Sequence, residues 1–155
     1  MATLTITVKE EVVVNGVQRG SENVKDITSI TEVYSRVMDV PNGVDTDVLK
    51  FGTVDGAGQI IASKIKYIRF TNLGTNDSNY ITLSFEDTDT DQYFVKLAAG
   101  QSYTLFNTDL DANALATSGA IGVDTYFAAG KGTLDLIMAR SSSGTQQLEV
   151  FAATT

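Results

Sequence analysis

The chain has 155 residues, of which 43% are hydrophobic, and we expect one domain, residues 1–155, with a core of its own. It contains no cysteine and no histidine, which excludes disulfides and thiolate metal sites and removes the most common general base. A net charge of −8 argues against nucleic acid as a partner. No stretch approaches the ~18 consecutive apolar residues of a membrane span, so we expect no membrane insertion.

The N-terminal segment alternates apolar residues with threonine, which is typical of a strand. Its apolar positions are Leu4, Ile6 and Val8. Residues 11–14 continue to Asn15-Gly16, a dipeptide that favours the type I′ turn of a hairpin, and residues 17–19 are expected to run back. The segment has neither a basic region nor a continuous apolar run, so we expect no secretory signal and a mature chain that starts here.

Residues 25–40 show two competing patterns. Ile27, Ile30, Tyr34 and Val37 have helical spacing, but β-branched residues are frequent and Pro41 favours an extended predecessor. We therefore predict a short strand followed by a longer one that ends at Val40. A turn over residues 41–45, a brief strand over residues 48–51, a glycine-rich loop over residues 52–59 and the pair Ile60-Ile61 are expected next.

Residues 64–107 contain four apolar and aromatic runs separated by polar turns. In the second run Ile81, Leu83 and Phe85 alternate with polar residues, which predicts one buried face and one solvent face. The third and fourth runs have the same period, at Tyr93, Val95 and Leu97 and at Tyr103 and Leu105. We expect these three runs to be antiparallel neighbours in one sheet, which a second sheet covers.

Residues 108–122 are expected to form a long loop with one helical turn, a natural contact surface. Strands over residues 133–139 and 146–152 should flank a turn at residues 141–144, with Leu148 and Val150 on one face and Phe151 on the other. The whole pattern predicts an all-β fold, an antiparallel two-sheet sandwich of jelly-roll or Greek-key type.

The run Asp87-Thr88-Asp89-Thr90-Asp91 has the carboxylate spacing that begins a calcium loop. The loop's glycine is replaced by Gln92 and its bidentate glutamate by Ala98, so we interpret the run as a solvated turn. No metal site is therefore expected.

Other motifs also fail. Residues 130–133, Gly-Lys-Gly-Thr, lack the first glycine and the Ser or Thr of a phosphate loop, and residues 55–58 lack the third glycine of a dinucleotide site. Two carboxylates suffice for glycoside hydrolysis, but nothing selects a pair among nineteen acids. We expect no catalytic residues, no enzymatic activity and no cofactor.

Two surface features have ordinary explanations. The sequon at residues 76–78 is interpreted as a polar turn, because no secretory signal is expected. Four tyrosines would stack on sugars if they shared one face, but aromatics in strands more often form the core or cross-strand pairs. They are Tyr67, Tyr80, Tyr93 and Tyr103.

The phrases TLTITVKEEVVVNGV, KYIRFTNLGTNDSNYITLSF and FVKLAAGQSYTLFN together resemble small proteins encoded among the structural genes of tailed bacteriophages, notably marine and cyanobacterial ones. The resemblance implies a virion component made in the host cytoplasm, namely a head decoration or cement protein on the capsid exterior. It implies a jelly-roll-like sandwich, often a trimer, that binds the major capsid protein, and it offers no catalytic residues. A tail or fibre component that binds a host surface glycan is the alternative, and a cellular binding module is the third.

Overall fold

The computed structural model, which describes residues 1–52, 59–106 and 134–155, confirms an all-β sandwich. The strands, in chain order, are β1 (Ala2–Lys9), β2 (Val13–Val14), β3 (Val17–Gln18), β4 (Glu22–Ile30), β5 (Glu32–Val40), β6 (Thr46–Gly52), β7 (Gln59–Ile61), β8 (Ile65–Asn72), β9 (Tyr80–Asp87), β10 (Gln92–Ala98), β11 (Ser102–Phe106), β12 (Leu134–Ser141) and β13 (Gln146–Thr154). A 3₁₀ turn, Ala62–Lys64, precedes β8.

The sandwich has the strand order of a jelly roll. One sheet runs β11-β8-β13-β5 and the other β10-β9-β12-β6-β7. Antiparallel pairs β5–β13, β6–β12, β8–β11 and β9–β10 form a ribbon that wraps on itself. The pairs β13–β8 and β12–β9 then join the two halves of each sheet, as two Greek keys require. At one edge β7 adds parallel to β6.

The core lies between the two sheets and consists of the residues that alternation predicts. Ile81 and Leu83 on β9 are fully buried, and Phe85 beside them is the centre of an aromatic group. Its ring stacks on that of Tyr93 with centroids 4.5 Å apart and meets Phe70 and Tyr103 edge-on, at 6.1 and 5.7 Å. Such edge and offset contacts add to the burial of apolar area.

The prediction that β9, β10 and β11 are neighbours in one sheet is wrong. β11 pairs with β8 in the opposite sheet, so the connection after β10 crosses the sandwich. The crossing is held by Gly100, whose N–H donates to the carbonyl of Asn72 at 2.9 Å and whose φ is +72°. The Asn72 N–H donates in turn to the carbonyl of Gln101 at 3.0 Å. Alternation determines which face a residue occupies, but it carries no information about the partner strand.

Several boundaries also differ from those expected. The first strand of the segment before Val40 is not short: β4 has nine residues because it pairs along most of its length with β1. The brief strand expected at residues 48–51 is the centre of the longer β6. The Asn15-Gly16 turn is confirmed, with φ of +51° and +78°. The motifs at residues 55–58 and 130–133 and the loop at residues 108–122 lie outside the described residues.

A buried polar network joins the two sheets at one end. The side-chain amide of Asn72 on β8 donates to the carbonyl of Leu97 on β10 at 3.0 Å, and its Oδ1 accepts from the N–H of Gly74 at 2.9 Å. Gln146 on β13 donates through Nε2 to the carbonyl of Tyr80 on β9 and to Ser141 Oγ on β12, at 3.1 and 2.7 Å. These bonds satisfy polar groups that would otherwise be costly to bury.

The first 30 residues form a hairpin outside the sandwich, here called the N-terminal arm (residues 2–30). β1 and β4 make a two-stranded sheet of their own, and β2 and β3 form its tip. The base of the arm packs Leu4, Ile6 and Ile27 against the outward face of the four-stranded sheet, at Tyr67 and Phe151. Because an isolated two-stranded hairpin is marginal in water, this second hydrophobic cluster holds the arm in place.

Candidate functional site

The N-terminal arm beyond its base exposes six valines, which register places on both faces of the hairpin. Their exposed fractions lie between 48% and 68%, which is high for an aliphatic side chain in a strand pair. They are Val8, Val12, Val13, Val14, Val17 and Val24. Six exposed valines concentrated in one short hairpin exceed the scattered single exposures that a free surface normally shows, which favours an interaction site.

The arm also offers strand edges. Within the described ranges β1 and β4 pair only with each other, so each has an outer edge that faces away from its partner. Such edges accept an added strand from another chain through main-chain hydrogen bonds. Charged side chains of the arm have partners within the arm. Lys9 Nζ lies 2.7 Å from Glu11 Oε1, and Asp26 Oδ1 accepts a hydrogen bond from Thr5 Oγ1 at 2.7 Å. The arm therefore suits a strand-forming, partly apolar partner better than a highly charged one.

The outward face of the four-stranded sheet also exposes apolar side chains. Val33 and Val37 on β5 are more than half exposed, near Phe151. Arg69 makes a 2.7 Å ion pair with Glu149, and its guanidinium lies 5.7 Å from the centre of the Phe151 ring. Under the arm, burial raises the pKa of the Tyr67 phenol, while the positive charge of Arg69 opposes the rise.

A groove lies on the outward face of the opposite, five-stranded sheet. Register places Ser84 on β9 directly between Phe94 on β10 and Met138 on β12. The short serine beside two large side chains leaves a depression of about 380 Å³, whose floor also includes Thr82. At one end Arg140 forms a 2.7 Å ion pair with Asp45. The Phe94 ring is 63% exposed, whereas the Ser84 hydroxyl is buried and makes no hydrogen bond to any residue that the structure describes.

The acidic turn joins β9 and β10. Asp87 is buried, and its Oδ1 accepts hydrogen bonds from the N–H groups of Asp89 and Asp91, both at 2.9 Å. Thr90 has a positive φ of 68°, as the tight turn requires. The interpretation as a turn is confirmed, and across the described part of the chain no group of three or more acidic side chains is placed to hold a metal ion.

The four tyrosines do not share a face. Tyr93 and Tyr103 are in the core, and Tyr67 lies under the arm. Tyr80 is on the outward face of the five-stranded sheet, with Lys96 Nζ 3.9 Å from the centre of its ring. The sequon forms a turn, in which Asn76 Oδ1 accepts from the N–H of Ser78 at 3.0 Å.

Sequence reasoning missed Phe94 and the exposed valines of the arm. Phe94 lies between Tyr93 and Val95, so the alternation that assigns those two residues to the core assigns Phe94 to the solvent side. The exposure of Phe94 could therefore have been predicted from the sequence. The exposure of the valines could not, since β-branched residues in a hairpin do not reveal whether a second sheet covers them.

No protein-family model matches the chain, and no curated protein is detectably similar to it. The described part of the chain contains no helix that is long and apolar enough to cross a membrane.

Proposed function

We propose that this chain is a structural protein of a phage virion, a capsid decoration or cement protein that stabilises the head by binding shell subunits. The single observation that carries the proposal is the N-terminal arm, a hairpin that leaves the sandwich and presents exposed valines and strand edges. The resemblance of the chain to small phage structural proteins implies that its partner is the major capsid protein. On this proposal the protein is made in the host cytoplasm and acts on the capsid exterior.

The proposal includes no enzymatic activity and no cofactor. A chain without histidine or cysteine lacks the most common general base and the nitrogen and sulfur ligands of most zinc sites. The net charge of −8 also suits a surface that faces solvent better than one that faces packaged nucleic acid.

The size of the exposed surface indicates how the arm would bind. Covering one half-exposed valine contributes about 1 kcal/mol, so even a partner that enclosed both faces of the arm would gain at most about 6 kcal/mol from the six before association costs. Those costs are roughly 4–15 kcal/mol, which one arm's valines do not clearly exceed. Stable attachment therefore needs main-chain pairing along a strand edge, several arms acting together, or both.

A homotrimer supplies several arms at once. Symmetry repeats each contact, and three arms on one particle raise the effective concentration of each for its shell subunit. The exposed Val33 and Val37, on the same side of the sandwich as the arm, provide a surface on which neighbouring copies could pack.

The test uses particles that lack the protein and a purified variant with Val13→Thr, Val14→Thr and Val17→Thr. Threonine keeps the β-branched shape and strand preference, so the arm should fold while losing apolar contact. We expect particle binding to weaken at least tenfold, since about 3 kcal/mol of apolar contact is at stake. Val44→Thr, a residue of similar exposure on a turn of the sandwich, is the matched control.

Complete particles should also resist heat or osmotic shock better than particles that lack the protein or carry the triple variant. Equal stability of all three, or a location of labelled protein only at the tail tip, would refute the decoration proposal. In the second case the alternative, a tail or fibre component that binds a host surface glycan, would take its place.

A further inference from the structure

We infer that the groove on the outward face of the five-stranded sheet binds a neutral hexopyranose unit of a surface glycan. The inference goes beyond the proposed function, because the groove and the N-terminal arm are on opposite faces of the sandwich. The residues that form it are Asp45, Thr82, Ser84, Phe94, Met138 and Arg140.

The shape of the groove follows from the register of three strands. Phe94, Ser84 and Met138 lie side by side across β10, β9 and β12, and Thr82 and Arg140 lie side by side in the next row. Small side chains on the central strand between large ones on its neighbours leave an elongated hollow. At about 380 Å³ the hollow is at the small end of the range for ligand sites, which suits one or two sugar units.

The chemistry of the groove suits a sugar because it pairs an apolar wall with polar groups. An exposed Phe94 ring provides a flat surface for the C–H face of a pyranose, as aromatic side chains do in many amphipathic contacts. Ser84 Oγ is the second observation. This hydroxyl belongs to a residue that is 7% exposed and has no hydrogen-bond partner in residues 1–52, 59–106 and 134–155, although buried hydroxyls are normally satisfied.

A sugar hydroxyl would supply the missing partner. Because Ser84 Oγ is covered in the chain alone, binding requires a rotamer change in Phe94 or Met138, and the exposure of Phe94 on an edge strand permits one. Thr82, Asp45 and Arg140 provide further donors and acceptors along the groove.

The charges around the groove do not favour an acidic sugar. Arg140 is compensated by Asp45 at 2.7 Å, and the ammonium of Lys96 lies over the Tyr80 ring at 3.9 Å. Glu86, which accepts from the side-chain amide of Gln92 at the groove rim, opposes the charge of Lys96. The exposed Asp47, placed beside Met138 by register, adds a negative charge, so the groove favours a neutral sugar over an acidic one.

The experiment is an NMR titration of the full chain with methyl glycosides of glucose, galactose, mannose and N-acetylglucosamine, with glucuronic acid for comparison. We expect the amide signals of Thr82, Ser84 and Phe94 to shift with at least one neutral glycoside, with a Kd of about 1 mM. Phe94→Ala should weaken binding at least fivefold, and Phe94→Trp should retain it. Val37→Ala, on the opposite sheet, should leave it unchanged.

Ser84→Ala separates binding from stability. Removing a hydroxyl without an internal partner should leave the thermal midpoint unchanged or raised, yet weaken glycoside binding about three- to tenfold. The inference is overturned if no neutral glycoside shifts these signals, if only the acidic sugar does, or if the shifts survive Phe94→Ala. None of these outcomes bears on particle binding by the arm, so failure here is distinguishable from failure of the decoration proposal.

Discussion

Asn72 provides the sharpest test of how the two sheets are held together. Its fully buried side chain makes hydrogen bonds to the carbonyl of Leu97 at 3.0 Å and to the N–H of Gly74 at 2.9 Å, and a longer one to Gln146 Oε1 at 3.4 Å. Asn72→Ala removes the side chain that bonds to the Leu97 carbonyl, the Gly74 N–H and Gln146 Oε1, and leaves these three groups without it. A buried polar group left unsatisfied costs about 1–3 kcal/mol.

The expected loss of stability comes from two good hydrogen bonds and one weak one. It is smaller than the full sum, because water can reach the N–H of the less buried Gly74 and partly replace the lost bond. We expect the free energy of unfolding to fall by about 3–4 kcal/mol. Urea denaturation followed by circular dichroism measures it, at several protein concentrations so that any oligomer is recognised.

Asn76→Ala is the matched control. Asn76 also accepts a backbone hydrogen bond through its side chain, from Ser78 at 3.0 Å, but it does so on the surface, so its loss should cost less than about 1 kcal/mol. Equal losses for the two variants, or a loss below 1 kcal/mol for Asn72→Ala, would show that the network does not hold the sheets together.

Three further predictions concern the core, the turn and the pH dependence. Leu83→Asp should abolish the folded β spectrum in far-ultraviolet circular dichroism, because a charge would be buried at a fully enclosed position. Gly16→Val should destabilise the arm tip, seen as loss of the tip's NMR signals with the sandwich signals intact, since φ of +78° is strained for a β-branched residue. The raised pKa of Tyr67 means that the fold favours the neutral phenol, so this contribution to stability is complete below pH 10 and is lost as the pH rises through the folded pKa. Tyr67→Phe should flatten the fall of the urea midpoint above pH 10, and an unchanged fall would exclude Tyr67 as its cause.

Local features of the fold were predictable because they follow from local chemistry. Alternation identified the buried faces of β9, β10 and β11, and Asn15-Gly16 specified a turn with two positive φ values. The sheet to which β11 belongs was not predictable from alternation. It depends on the crossing at Gly100 and on pairing with β8, about 35 residues earlier in the chain, which no short window contains.

The candidate sites show the same division. Phe94 was identifiable as an outward aromatic, but the groove beside it needs Met138, whose place next to Ser84 comes from the pairing of β12 with β9. The valines of the arm were visible as strand residues, yet their exposure depends on β1 and β4 forming a sheet apart from the sandwich.

The two proposed surfaces are compatible because the sandwich separates them. The arm packs at its base on the outward face of the four-stranded sheet, whereas the groove is on the outward face of the five-stranded sheet. Two packed sheets lie about 10 Å apart and point their outer faces in opposite directions. A protein attached to a shell through its arm would therefore turn Phe94 and the groove toward solvent, where a glycan can reach them. Because the two surfaces share no residues, substitutions in the arm and in the groove should act independently, the first on particle binding and the second on sugar binding.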